Sequence, residues 1–120
     1  MISASDVLQI ISEIHQYSTV LLELKDATTV GISNLSNGKM TYFKSEGRLG
    51  QTQRSELVSK IYSHDMSGGV QTLSVDELLK HIEGKKAKHI WLETAGRDSK
   101  ELGFVSVSEL KAFFRSHPHR

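Results

Sequence analysis

Between residues 18 and 45, three runs of alternating side chains follow one another with very short links. Thr19 to Leu24 sets Val20, Leu22 and Leu24 on one side. Thr28 to Ser33 sets Val30 and Ile32 on one side and Gly31 opposite. Lys39 to Lys44 returns with Met40, Tyr42 and Phe43. Parallel neighbours need a crossover of about a dozen residues or more. The links here are shorter, so the runs can pair only as an antiparallel meander. Asn37-Gly38 supplies the strongest turn signal, because both residues tolerate the positive φ of a two-residue hairpin.

Helical spacing frames this meander. Residues 5–15 carry Val7, Ile10, Ile11 and Ile14 at the i, i+3, i+4, i+7 positions of one buried face. Ser3 and Asp6 form a start resembling a capping box, with Asp in place of Glu. Residues 52–63 place Leu57, Val58, Ile61 and Tyr62 on one face. Ser74 to Glu77 is a capping box opening a helix with Val75, Leu78, Leu79 and Ile82, and Gly84 suits its C-terminal end. Strands are expected at 88–94 and 102–106, joined by a polar turn at 96–100. Ser106 and Glu109 open a last helix with Val107, Leu110, Phe113 and Phe114. Leu73 to Leu78 resembles Val105 to Leu110, a likeness that good helix-start chemistry explains without duplication.

The expected order is α-β-β-β-α-α-β-β-α. It describes a single α+β domain over residues 1–120, with a mainly antiparallel sheet of about five strands packed with helices. No low-complexity run or linker divides it.

Composition narrows the chemistry. The chain has no cysteine, which excludes disulfides, zinc–thiolate sites, iron–sulfur clusters and Cys nucleophiles. Fifteen basic residues stand against 14 acidic ones, a balance poorer in basic charge than dedicated nucleic-acid binders show. No run approaches the ~20 apolar residues of a membrane span. The N-terminus lacks a basic n-region and meets an acid at Asp6, so a signal peptide is not expected. The expected location is the cytoplasm, without a membrane partner.

The most informative segment is His89-Ile90-Trp91-Leu92-Glu93. If Ile90 and Leu92 face the helices, His89, Trp91 and Glu93 share the other face of the sheet. Thr19, Leu21 and Glu23 join them from the first strand, and Tyr42 or Phe43 from the third. An exposed face mixing Trp, aliphatic, His and carboxylate groups would mark a binding platform. A helix or a second subunit covering it would explain the same pattern. The candidate ligand- or partner-binding residues are therefore Trp91, His89, Glu93, Glu23 and Leu21. Trp91 would act as the aromatic anchor, while His89 and Glu93 would set polar specificity.

Catalytic sets are weaker. Glu23 and Glu93 could pair for acid–base work, but a solvated strand face explains them equally well. His64-Asp65-Met66-Ser67 has a hydrolytic triad's residue types. Immediate neighbours on a loop rarely reach triad geometry, and Asp65 and Ser67 suit a turn before Gly68-Gly69. Gly47-Arg48-Leu49-Gly50 precedes a helix without a P-loop's Gly-Lys-Ser/Thr ending. His117 and His119 lack a third nearby ligand, so no metal and no cofactor is expected.

Lys85, Lys86 and Lys88 cluster after a helix, with Arg97 and Lys100 in the following turn. Such a patch could position a phosphate backbone. It equally suits lysines that complement a helix C-terminus and protect a strand edge.

Two family patterns are not met. PilZ domains, which bind cyclic dinucleotides, carry RxxxR followed by DxSxxG. Here Arg48 and Arg54 are six apart, and position 70, after Asp65 and Ser67, is Val. The α-β-β-β-α order of the first sixty-odd residues is also that of double-stranded-RNA-binding domains. Their basic KKxAK start is replaced by Gln51-Thr52-Gln53-Arg54-Ser55. No residue takes a role from either family.

The sequence thus leads to a binding module without catalytic activity, acting on a protein partner or small ligand or through a homo-oligomer interface. The first alternative is a weak nucleic-acid-associated protein using Lys85, Lys86, Lys88, Arg97 and Lys100. The second is a small enzyme with His89 or Glu93 as general base in a cupped sheet.

Overall fold

The structure is a computed structural model. It describes residues 1–14, 17–34, 40–63, 65, 67–94 and 100–117. The Asn37-Gly38 turn, Arg97 with most of its turn, His64, Met66 and His119 lie outside the described residues.

The elements follow the expected order with one addition. They are α1 (Ala4–Glu13), β1 (Tyr17–Leu24), β2 (Thr28–Asn34), β3 (Met40–Glu46), α2 (Gln51–Tyr62), β4 (Gln71–Leu73), α3 (Val75–Ile82), β5 (Ala87–Thr94), β6 (Glu101–Phe104) and α4 (Val107–Ser116). The strands form one antiparallel sheet in the order β4-β3-β2-β1-β5-β6. The sixth strand, β4, has three residues and pairs Phe43 with Thr72. A Gln-Thr-Leu segment is too short to show alternation, which is why the sequence suggests only about five strands.

Caps set the helix starts. At α1 and α3 the boxes are complete: Ser3 and Ser74 accept from the amides of Asp6 and Glu77, whose carboxylates accept from the cap amides. At α4, Ser106 accepts from the Glu109 amide, but the Glu109 carboxylate takes the Val105 amide instead, at 2.8 Å. Gly84 follows the C-cap of α3 with φ +79°, a conformation that favours glycine.

Two apolar cores lie on opposite faces of the sheet. On the first face, Val20, Leu22, Leu24, Val30, Ile32, Ile90 and Leu92 pack with α1, α3 and α4, through Val7, Ile10, Leu78, Ile82, Leu110 and Phe114 among others. On the second, Leu21 and Phe43 pack with Val70 and with Leu57, Val58 and Ile61 of α2. Tyr62, expected with them, is exposed, because it follows Ile61 and points off the packed stripe. Among the described residues, no helix is long and apolar enough to cross a membrane.

Candidate functional site

Strand pairing arranges the second face as three cross-strand rows. The central row runs Thr72, Phe43, Gly31, Leu21, Trp91, Gly103. On one side lie Thr41, Ser33, Thr19, Glu93 and Glu101. On the other lie Ser45, Thr29, Glu23 and His89. All five sequence candidates thus share the face that alternation assigned them. Phe43, not Tyr42, joins them from β3.

Glycines interrupt the large side chains of the central row at Gly31 and Gly103. The Phe43 ring lies over Gly31, where an added Cβ would come within 2.5 Å of Phe43 Cε2 and 2.9 Å of Leu21 Cδ2. Trp91 leans toward Gly103, whose absent Cβ would sit 3.9 Å from the indole Cδ1. Gly31 thus supplies space that the Phe43 ring needs, without positive φ, whereas at Gly103 the distance is an ordinary van der Waals contact.

The face is not an open platform across its width. Helix α2 covers the β1–β3 side and buries Leu21 and Glu23 to 2% and 4% exposure. Neither can touch a partner in this fold. Thr19, Thr29, Ser33 and Ser45 are buried beside them. Thr19 and Ser33 satisfy each other through their hydroxyls at 3.2 Å, and the Thr29 hydroxyl donates to the Gly47 carbonyl at 3.4 Å. His89 is exposed, and Trp91 and Glu93 are partly exposed.

Arg54 of α2 reaches over Trp91 on the β5–β6 side. Its guanidinium lies 4.0 Å from the centre of the Trp91 ring. Nε and Nη2 donate to the two Glu101 carboxylate oxygens at 2.8 and 2.7 Å, and Nη1 donates to the Leu49 carbonyl at 2.9 Å. This is the bidentate geometry that only arginine offers, with stacking on the indole added. The hydrogen bonds that Arg54 donates to Glu101 raise its pKa, despite burial, and the charges of Glu101 and Glu23 act in the same direction. Sequence reasoning placed Arg54 only in a family pattern. Its link to Glu101 spans 47 positions, and no local signal announces it.

Burial raises the Glu93 carboxyl above its ordinary value, and the charge of Glu101 adds to this. His89 leans on Trp91 with ring centres 5.6 Å apart. The crevice lined by Thr19, Leu21, Val58, Trp91, Glu93 and Glu101 is too narrow to admit a water molecule, and His89 does not line it. Of the two residues considered as a general base, Glu93 lines this crevice and His89 lies outside it.

Among the described residues, the lysines of the alternative site are not gathered in one place. Lys85 pairs with Asp26 at 2.7 Å. Lys86 and Lys88 face a separate groove. Lys100 is bonded to Thr94 at the far end of β5, and Thr94 is six residues past Lys88, roughly 20 Å along an extended strand. Among the described residues, no three His, Asp or Glu side chains gather as metal ligands.

Compared with models of known protein families, with curated proteins and with solved structures, the chain matches none.

Proposed function

We propose that this domain is a non-enzymatic binding module that takes a protein partner along the β5–β6 side of its second face. One observation carries the reading: Trp91 stays partly exposed, held flat by Arg54, between exposed His89 and exposed Gly103 at the end of the sheet. Beyond Gly103 lies the outer edge of β6, which has no strand partner among the described residues. An extended segment can add to such an edge through main-chain hydrogen bonds, with an aromatic anchor beside it. A second copy of the chain is the simplest source of that segment. The cysteine-free composition supports a cytoplasmic setting.

Light scattering tests the reading. Wild-type protein is expected at twice its 13.4 kDa chain mass. Gly103→Glu, which places a charge beside the indole at the edge, is expected to give monomers with an unchanged melting temperature. A wild-type monomer at about 100 µM, a concentration that populates even weak specific complexes, overturns the self-association form. If Trp91→Ala in that monomer also costs several kcal/mol of stability, Trp91 is a packing residue and the binding reading falls with it.

A further inference from the structure

A groove of about 450 Å³ opens at the end of the sheet where β1 finishes and β5 begins. That volume lies within the range of small-molecule sites. Its charged lining is Lys25, Lys86, Lys88, Lys111 and Asp6. Lys111 is neutralised by Asp6 at 2.9 Å, and Asp6 also accepts from the Ser3 amide. Lys25, Lys86 and Lys88 make no ion pair among the described residues. Three lysines without an ion pair among the described residues therefore line one concavity, and its one carboxylate, Asp6, is engaged by Lys111.

The usual structural roles do not account for these lysines. β1 and β5 are interior strands, so no sheet edge needs protection here. Lys85, just past the end of α3, is already paired with Asp26.

The backbone is shaped for the arrangement. Glu23 pairs with His89 and Leu24 with Ala87, which leaves Lys88 as the extra residue of a β-bulge. Bulges re-aim side chains. Regular alternation would send Ala87 and Lys88 to opposite faces, yet Lys86, Ala87 and Lys88 all line the groove. The wall is held in place, because the Lys25 amide donates to the Lys86 carbonyl at 3.1 Å and the Ile2 amide to the Lys85 carbonyl at 2.9 Å. Ile2 and Val105 add apolar surface, and Val105 is 63% exposed.

We infer that this groove binds a small organic phosphate carrying two phosphoryl groups on a short aliphatic body. Lysines act as point charges and suit phosphate oxygens, whereas planar carboxylate recognition favours the arginine fork, which the lining lacks. The lining also has no aromatic ring on which a nucleobase could stack. Three unbalanced cations match the charge of a diphosphate near neutral pH.

Inorganic diphosphate is the probe. Titrated into the ¹⁵N-labelled full chain at about 50 mM salt, it is expected to give saturable shifts at the amides of Lys25, Lys86, Ala87 and Lys88. Lys25→Gln and Lys88→Gln are each expected to weaken binding about tenfold, the size of one lost charged hydrogen bond, with the melting temperature held or raised. Sulfate should bind more weakly than diphosphate. Three results would overturn the inference. One is the absence of saturable shifts at about 10 mM diphosphate. Another is equal binding by the doubly substituted chain. The third is a single-stranded oligonucleotide that outcompetes diphosphate with a steep salt slope, which would make the groove part of a nucleic-acid path.

Discussion

The two faces of this sheet are built from the same strands and closed in opposite ways. The first is almost wholly aliphatic and carries three helices, α1, α3 and α4. The second has one apolar row between two polar rows and carries α2 alone. On the first face, any inward residue meets several helical side chains. On the second, packing is concentrated in Leu21, Phe43, Leu57, Val58 and Ile61, and an arginine completes the cover. The first face holds the larger apolar core. The second leaves polar groups near the surface at β5 and β6, where the proposed partner would dock.

The largest test of this contrast is truncation on each face. Leu22→Ala, fully buried under the helices, is expected to cost about 3–5 kcal/mol in chemical unfolding, against about 1–2 kcal/mol for Val58→Ala of α2. Equal losses would make the two faces equivalent. Next comes Gly31→Ala. The added methyl has no room beneath Phe43, so a loss of about 1–3 kcal/mol is expected. Pairing it with Phe43→Leu should return part of that loss, and a purely additive double variant would refute the proposed fit.

Arg54→Lys is a smaller change. It keeps the charge but removes the fork to Glu101 and the stacking on Trp91, for an expected loss of about 1 kcal/mol. Indole fluorescence should shift with it, since the guanidinium no longer covers the ring.

The smallest effect is one of pH. Glu93 has a folded pKa above its ordinary 4.5, so its contribution to stability is full below that value and is lost as pH rises through the raised one. Glu93→Gln is therefore expected to raise the melting temperature slightly at pH 7 and to do nothing near pH 3. Asp6, lowered chiefly by the Ser3 amide and further by Lys111, works in the other direction. Its stabilisation is present above pH 3.8 and is lost as pH falls through its lowered value, so Asp6→Asn should cost stability at pH 7.

The sequence makes the first face legible and the second only half so. Alternation in β1, β2 and β5 states which residues turn toward the helices, and the caps at Ser3, Ser74 and Ser106 fix where those helices start. Alternation also assigns His89, Trp91 and Glu93 to a common face. It carries no information on what lies above them. Helix α2 is polar along most of its length, with only Leu57, Val58 and Ile61 buried, so its place over Leu21 and Phe43 follows from three-dimensional packing rather than from a strong stripe. The groove lysines were hidden for a related reason. Lys86 and Lys88 are conspicuous as neighbours, but Lys25 joins them only through the β1–β5 pairing, and Lys100 leaves them through the length of β5.

The seating of Phe43 on Gly31 also selects how β2 and β3 align. A one-residue slip is forbidden by the burial of both faces, since it would turn every side chain over. A two-residue slip would preserve the faces and could otherwise compete. It would place Phe43 opposite Thr29 or Ser33, each with a Cβ where the ring needs empty space. A single glycine thus acts as a key that only one alignment of this hairpin can turn, independently of the residues that join its strands.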